Sequence, residues 1–154
     1  MAKDETYRAL VAAIERLHRH FLDVLRAELL RLEIGDVNAV QALLVHNIGS
    51  NDVIIRDLRD RGYYHGSNVS YNIKKLTELG YVEQERNSQD RRSVRLRLTA
   101  RGTDLSAVIG RLQSRLVQRL HVAEDELAAA GRTLRALEET WATTVRDEQP
   151  DDAG

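Results

Sequence analysis

The spacing of apolar residues near the start of the chain predicts one long amphipathic helix. These residues follow one another at steps of four, three, four and three, which places them on one helix face: Leu10, Ile14, Leu17, Phe21 and Val24. Gly35 then interrupts the pattern, and glycine is common just beyond a helix end. We therefore expect a helix from about residue 5 to residue 32.

Two shorter helices are expected next. Asp36 is a suitable N-cap for a second helix, which ends at Gly49 and carries four apolar residues: Val37, Val40, Leu44 and Ile48. A short third helix is expected between about residues 50 and 62, with Ile54 and Leu58 as its apolar positions.

A fourth helix, between Gly66 and Gly80, combines a narrow apolar face with a polar one. Its apolar residues recur at helical spacing: Val69, Ile73, Leu76 and Leu79. The opposite face and its flanks carry polar, aromatic and charged side chains: Ser67, Asn68, Ser70, Tyr71, Lys74, Lys75 and Glu78. Such a face is typical of a helix that contacts a polar partner.

Beyond Gly80 the period of the pattern changes from 3.6 to 2, which indicates strands. Residues 81–86 and 93–98 predict two strands, and Arg95 and Arg97 give the second strand a cationic face. The segment between them, NSQDRRS, has no apolar residue and predicts a turn. The result is a short antiparallel hairpin with a charged tip. It must pack on neighbouring helices, because two strands alone are only marginally stable.

The end of the chain returns to helical periodicity. One apolar stripe runs from Leu105 to Leu116 and another from Leu127 to Val145. Together with the first helix, these stripes are longer than a small central module can cover, and unburied they would favour aggregation. We therefore expect a homodimer. Residues 147–154 are expected to form a disordered tail.

Charge is distributed unevenly along this chain of 154 residues, although its formal net charge is only −1. Residues 56–101 hold eleven Lys and Arg against six Asp and Glu, which is +5, so the remainder carries −6. A basic block on an acidic body is typical of an electrostatic footprint for nucleic acid. A solvated charged surface is the simpler alternative.

Composition also excludes several classes of function. The chain has no cysteine, so disulfides, thiolate metal sites and thiol-based sensing or catalysis are excluded. Its longest apolar run is six residues (9–14), too short to span a membrane, and we expect a cytoplasmic protein. His18 and His20 point to different helix faces and cannot chelate one metal together. No phosphate-cradling glycine loop, H-E-x-x-H or G-x-S-x-G motif is present, so neither an enzyme nor a cofactor is expected.

The order of elements over residues 36–99 predicts a winged helix-turn-helix. The DNA major groove admits one α-helix, and its base edges are read by side chains such as Asn, Ser and Lys. A hairpin tip can meanwhile reach the adjacent minor groove, where arginine is favoured. We expect residues 5–34 and 100–146 to form a helical dimerisation region around this module, giving a mainly α fold with a small β-hairpin wing.

Residues 70–102 resemble the MarR family of bacterial transcription regulators. The resemblance lies in a recognition helix that ends in a Leu-x-x-x-Gly turn, an arginine-bearing strand, a D-x-R wing tip and a closing L-T-x-x-G. The matching residues are Leu76 with Gly80, Arg86, Asp90 with Arg92, and Leu98, Thr99 and Gly102.

The resemblance implies roles for the wing residues. Arg92 corresponds to the arginine that enters the minor groove, Asp90 to the carboxylate that orients the wing arginines, and Arg86 to a supporting strand arginine. Arg91 and Arg95 are candidate DNA contacts, with a solvated strand face as the alternative. On the recognition helix, the helical wheel selects base and phosphate contacts: Ser67, Asn68, Ser70, Tyr71, Lys74 and Lys75. Tyr81 is expected to pack beneath this helix rather than to contact DNA.

The resemblance also implies a homodimeric, ligand-responsive repressor on a pseudo-palindromic operator in double-stranded DNA. A small aromatic or phenolic effector is expected between the first helix, the second helix and the helix after the hairpin, with Phe21 and His46 as lining residues. Two other functions fit parts of the sequence. One is a winged helix that docks proteins without binding DNA. The other is a histidine phosphotransfer module using His18 or His20, which leaves the arginine-tipped hairpin unexplained.

Overall fold

The computed structural model describes residues 1–49, 53–54, 58, 66–86 and 94–148. Within these residues the chain is mainly helical with one small antiparallel sheet, which confirms the predicted fold class. The helices are α1 (Ala2–Arg31), α2 (Ala39–Ile48), α3 (Gly66–Glu78), α4 (Ala100–Arg119) and α5 (Glu124–Glu148), and the strands are β1 (Val53–Ile54), β2 (Val82–Arg86) and β3 (Val94–Leu98). Met1–Arg115 and Leu116–Gly154 form two compact units.

The sheet has three strands in the order β1-β3-β2, not the two strands of the predicted hairpin. Val53 pairs with Leu96 and Ile54 with Arg95, so Ile54 lies in a strand and its predicted place in a short helix is wrong. These β-branched residues suit a strand, and they satisfy the edge of β3 that β2 leaves open. Leu58 is helical and fully buried.

The start of α2 also differs from the prediction. Asn38, not Asp36, is the N-cap: its side-chain oxygen accepts from the Gln41 backbone N–H at 2.8 Å, and the Gln41 side chain accepts from the Asn38 N–H at 3.0 Å. This reciprocal capping box satisfies two backbone donors that the helix cannot bond internally. Asp36 is consequently available for partners elsewhere in the fold.

The core of Met1–Arg115 unites the apolar sides of its helices with the sheet. Of the four apolar residues predicted for this helix, Val69, Ile73 and Leu76 are buried in α3, whereas Leu79 lies just beyond its end and is half-buried. The three buried residues lie in a core with residues from α1, α2, β3 and α4: Leu25, Leu44, Leu96 and Ile109. This burial fixes which face of α3 is turned outward.

A charged contact joins α1 to α4. Glu28 is buried, and its Oε1 accepts from Arg31 at 2.7 Å and from Arg115 at 2.6 Å. Hydrogen bonding to Arg31, opposed by burial and reinforced by Arg115, lowers the pKa of Glu28 to about 2. The carboxylate therefore stays ionised and holds both arginines.

Several apolar side chains of the long helices remain exposed in the single chain. Leu17 in α1 is 64% exposed. In α5 no residue is buried, and Leu127, Leu134, Trp141 and Val145 are all exposed. This helix continues through Glu148, two residues into the segment predicted as a disordered tail. No described helix is long and apolar enough to cross a membrane.

Candidate nucleic-acid interface

The outward face of α3 is polar and accessible. It carries five of the six residues predicted on this helix, all of them exposed: Asn68, Ser70, Tyr71, Lys74 and Lys75. Tyr71 is 66% exposed and projects from this face. Ser67 lies in the first turn of α3, and its side chain is outside the described part of the chain. The structure thus gathers these residues on one surface, with Glu78 at its far end.

A buried amide pair holds α3 against α2. The Gln41 Nε2 donates to Asn72 Oδ1 at 3.3 Å, and both residues are buried. Asn72 is not among the residues predicted from the sequence. Its position three residues after Val69 and next to Ile73 is the signal that could have placed it on the inner side of the helix. Because the same Gln41 completes the capping box, the start of α2 and the middle of α3 share one polar cluster.

The end of α3 is closed by a glycine turn. Gly80 has a φ of +82°, its N–H donates to the Thr77 carbonyl at 3.1 Å, and the Tyr81 N–H donates to the Leu76 carbonyl at 3.0 Å. These two bonds form a Schellman motif, which favours glycine at the left-handed position. The Leu-x-x-x-Gly pattern seen in the sequence is therefore a helix stop that leads the chain directly into β2.

Arg95 and Arg97 share one face of β3, as predicted, but the β2–β3 ladder adds acidic residues to that face. Arg97 lies opposite Glu83 and Arg95 opposite Glu85, so each arginine shares its face with a glutamate. Arg97 also forms a 3.4 Å ion pair with Glu85. These residues and Gln84 line a surface cavity of about 350 Å³. A DNA phosphate at this face would have to compete with Glu85 for Arg97.

The remaining wing residues have separate positions. Arg86 is exposed at the last position of β2, opposite Val94, on the sheet face that also carries Gln84. Gln84 in turn donates to Thr77 of α3 at 2.9 Å, so the strand and the recognition helix are joined directly. Asp90, Arg91 and Arg92 lie outside the described residues, and their roles stay predictions.

The two residues predicted to line an effector pocket lie on different helices. His46 of α2 makes contacts to α4, with Nδ1 3.1 Å from Ser106 Oγ and 3.3 Å from its carbonyl oxygen. Phe21 is half-buried on α1. Neither residue lines the surface cavity on β2 and β3 or a second surface cavity of about 520 Å³ on α5. Within the described part of the chain, no group of three acidic, histidine or cysteine residues is placed to hold a metal.

Comparison with known proteins gives matches to this arrangement in sequence and in structure. A model of the winged helix DNA-binding domain matches residues 37–102. The exopolysaccharide II synthesis transcriptional activator ExpG of Rhizobium meliloti (strain 1021) is 35% identical over 144 residues, which cover 92% of this chain and 74% of that protein.

Solved structures share the fold over nearly the whole chain. A MarR family transcriptional regulator from Listeria monocytogenes, complexed with 26mer DNA, is 20% identical with a TM-score of 0.77, over 92% of this chain and 97% of that chain. Streptococcus pneumoniae FabT in complex with DNA is 22% identical with a TM-score of 0.71, over 90% of this chain and 99% of that one.

Proposed function

This chain belongs to the MarR family of winged helix transcription regulators, and from that premise we propose that it acts as a homodimer on a pseudo-palindromic operator. The observation that carries the proposal is the outward face of α3, where polar, basic and aromatic side chains stand opposite a fully buried apolar face. A face of this composition suits the major groove, which offers hydrogen-bonding base edges flanked by phosphates.

The exposed apolar side chains of the long helices support a homodimer. Burying apolar surface contributes about 25 cal/mol per Å², which makes a second copy a favourable cover for them. They include Leu17, Leu30, Val117, Leu127, Leu134, Trp141 and Val145. Sedimentation equilibrium should then give twice the chain mass of 17.5 kDa. A mass of one chain at micromolar concentration would contradict the dimer.

Symmetry then defines the operator. Two recognition helices on one side of the duplex lie about 34–36 Å apart, so half-site centres are expected about 10 bp apart. If Lys74, Lys75, Arg91 and Arg92 each neutralise one phosphate, the dimer neutralises roughly eight, and log K falls with log salt at a slope near −7.

The direct test is selection of bound duplexes from random DNA, followed by salt-titrated fluorescence anisotropy with the selected duplex. We expect a two-fold symmetric sequence and a loss of about 1–3 kcal/mol in binding for Arg92→Ala if Arg92 contacts bases. Arg19→Ala, which removes one exposed arginine from α1, is the matched control. Failure to enrich any sequence would contradict the proposal and favour a protein-docking module.

Effector control is a further part of the proposal. A small aromatic or phenolic compound between α1, α2 and α4 would release DNA only if it binds one dimer conformation more tightly than the other. The favoured conformation must be the one in which the spacing of the two recognition helices does not match successive major grooves. The contact of His46 with Ser106 supports this location, because it brings α2 and α4 together there. To test this site, we would measure operator binding by wild type and His46→Ala in the presence of a panel of benzoic acids and phenols. No effect of any compound on wild-type binding would contradict it.

The direction of regulation has two candidates. The family resemblance favours repression, whereas the Rhizobium relative is described as a transcriptional activator. A reporter gene placed behind the selected operator, with and without the protein, distinguishes them by the sign of the change in expression.

A further inference from the structure

Three side chains from separate parts of the fold meet where the recognition helix ends. Asp36 lies before α2, Tyr81 between α3 and β2, and Arg101 in the first turn of α4. The Tyr81 hydroxyl lies 2.8 and 2.9 Å from the two carboxylate oxygens of Asp36 and donates to them. Arg101 donates to Asp36 through Nη2 and to the Leu79 carbonyl through Nη1 at 2.7 Å, and its guanidinium lies 4.4 Å from the centre of the Tyr81 ring.

The backbone around this cluster is equally tightly joined. The Thr99 N–H donates to the Tyr81 carbonyl at 3.1 Å, and the Thr99 hydroxyl donates to the Gly80 carbonyl at 2.6 Å. Gly102 lies so close to the backbone of Tyr81 that a Cβ added at Gly102 would be 2.1 Å from the Tyr81 carbonyl oxygen. The start of α4 is therefore bonded to the carbonyls of Leu79, Gly80 and Tyr81, which directly follow α3.

We propose that Asp36, Tyr81 and Arg101 form a positioning latch that fixes the orientation in which α3 is presented to DNA. The proposal rests on the proposed function, because orientation matters only if α3 reads DNA. Tyr81 is only 4% exposed, so it acts through the residues it holds and not by touching a duplex. The bonds of Arg101 reach both the entry to α2 and the end of α3, so a displacement of α4 carries the recognition helix with it.

The ionisation states suit this arrangement. Burial, reinforced by the Asp36 carboxylate, raises the pKa of Tyr81, so the phenol keeps its proton and remains a donor. The Arg101 guanidinium offers donors in a fixed planar fork, which matches a carboxylate and a carbonyl at once.

Tyr81→Phe is the decisive variant, since it removes one buried hydroxyl and changes no charge. Binding of the in vitro selected duplex and of poly(dI-dC) is compared over the same range of salt concentrations, together with the melting temperature. We expect affinity for the selected duplex to fall about tenfold, as a lost hydrogen bond to a charged group allows, while affinity for poly(dI-dC) and the salt slope stay unchanged. Tyr7→Phe on α1 is the matched control.

Arg101→Gln separates the latch from a direct phosphate contact. If Arg101 binds a phosphate, the variant has lower affinity for both DNAs and a salt slope reduced by about one per protomer, whereas loss of the latch lowers the ratio of specific to nonspecific affinity. Arg111→Gln removes an exposed arginine from the same helix as control. An unchanged ratio in both Tyr81→Phe and Arg101→Gln, whatever the melting temperature, would overturn the proposal.

Hydrogen exchange gives a result that does not depend on DNA. In Tyr81→Phe we expect faster exchange of the amides in the last turn of α3, with those of α2 unchanged. If wild-type protein enriches no sequence, the proposed function fails and this measurement alone decides. Unchanged exchange in α3 would then overturn the latch.

Discussion

The Nη2 of Arg115 in α4 lies 2.6 Å from Oε1 of Glu28 in α1, and this bond crosses between the two helices at a carboxylate whose side chain is only 9% exposed. A buried carboxylate is costly unless its oxygens are bonded. Arg31, one turn further along α1, supplies one of these bonds, and Arg115 of α4 supplies another. The bond from Arg115 fixes how α1 and α4 pack.

Glu28→Gln should lower the free energy of unfolding by about 1–3 kcal/mol at neutral pH, since hydrogen bonds to charged groups are lost. The pKa of Glu28 falls from 4.5 to about 2 on folding, so the stabilisation is complete above pH 4.5 and is lost as the pH falls towards 2. Urea denaturation at fixed protein concentration should therefore show the difference between wild type and variant shrinking across that interval.

Glu15→Gln, at an exposed position of the same helix, is the control and should leave stability within about 0.5 kcal/mol of wild type. A Glu28→Gln effect that is equally large at pH 2 and pH 7 would contradict the role given to the carboxylate.

Two glycines of α4 should respond in opposite ways to alanine. Gly102→Ala places a Cβ against the Tyr81 carbonyl oxygen and should destabilise the protein by about 1–3 kcal/mol. The Cβ that Gly110→Ala adds has no neighbouring atom within 4 Å. This variant should stabilise the protein by about 0.5–1 kcal/mol, because alanine is the better helix former. Thermal denaturation of both variants checks the pair. Equal effects would show that the contact at Gly102 is not rigid.

Removing the lysines of the recognition helix should weaken DNA binding without regard to sequence. Lys74→Ala with Lys75→Ala should reduce the salt slope by about one for each phosphate that the variant no longer neutralises. Anisotropy over a range of salt concentrations measures this. The chain has one other lysine, Lys3 at the start of α1, and Lys3→Ala should leave the slope unchanged.

Tyr71→Ala should relax sequence preference. Its ring is largely exposed, so the melting temperature should hardly change, whereas affinity for the selected duplex should fall by about 1–3 kcal/mol if the ring contacts base edges. Competition between the selected duplex and single-base variants locates the position it reads. An equal loss of affinity for all duplexes would assign Tyr71 to the backbone instead.

The parts of the fold that follow from local patterns were predictable from the sequence. The buried residues of α3 recur at helical spacing, and Gly80 marks the point where the helix period gives way to the strand period. Both signals are carried by neighbouring residues. The helical wheel that predicts which residues of α3 face the core also predicts which residues face outward.

The features that could not be predicted from the sequence depend on contacts between residues far apart in the chain. Asp36 and Asn38 are both good caps, and Asp36 is instead bonded to Tyr81 and Arg101, 45 and 65 residues further along the chain. Likewise β1 is only two residues long, and its pairing with β3 is not visible in its own neighbourhood. The glutamates opposite Arg95 and Arg97 emerge only from the register of the ladder.

The central strand β3 is paired with another strand on each side. Because β1 and β2 both pair with β3 and Leu96 is buried at its centre, the base of the wing is secured by residues other than those at its tip. We therefore expect substitutions within residues 87–93 to leave the pairing of the three strands intact. If residues 87–93 contact DNA as proposed, grafting that segment from a relative should change the part of the operator preference that does not depend on α3.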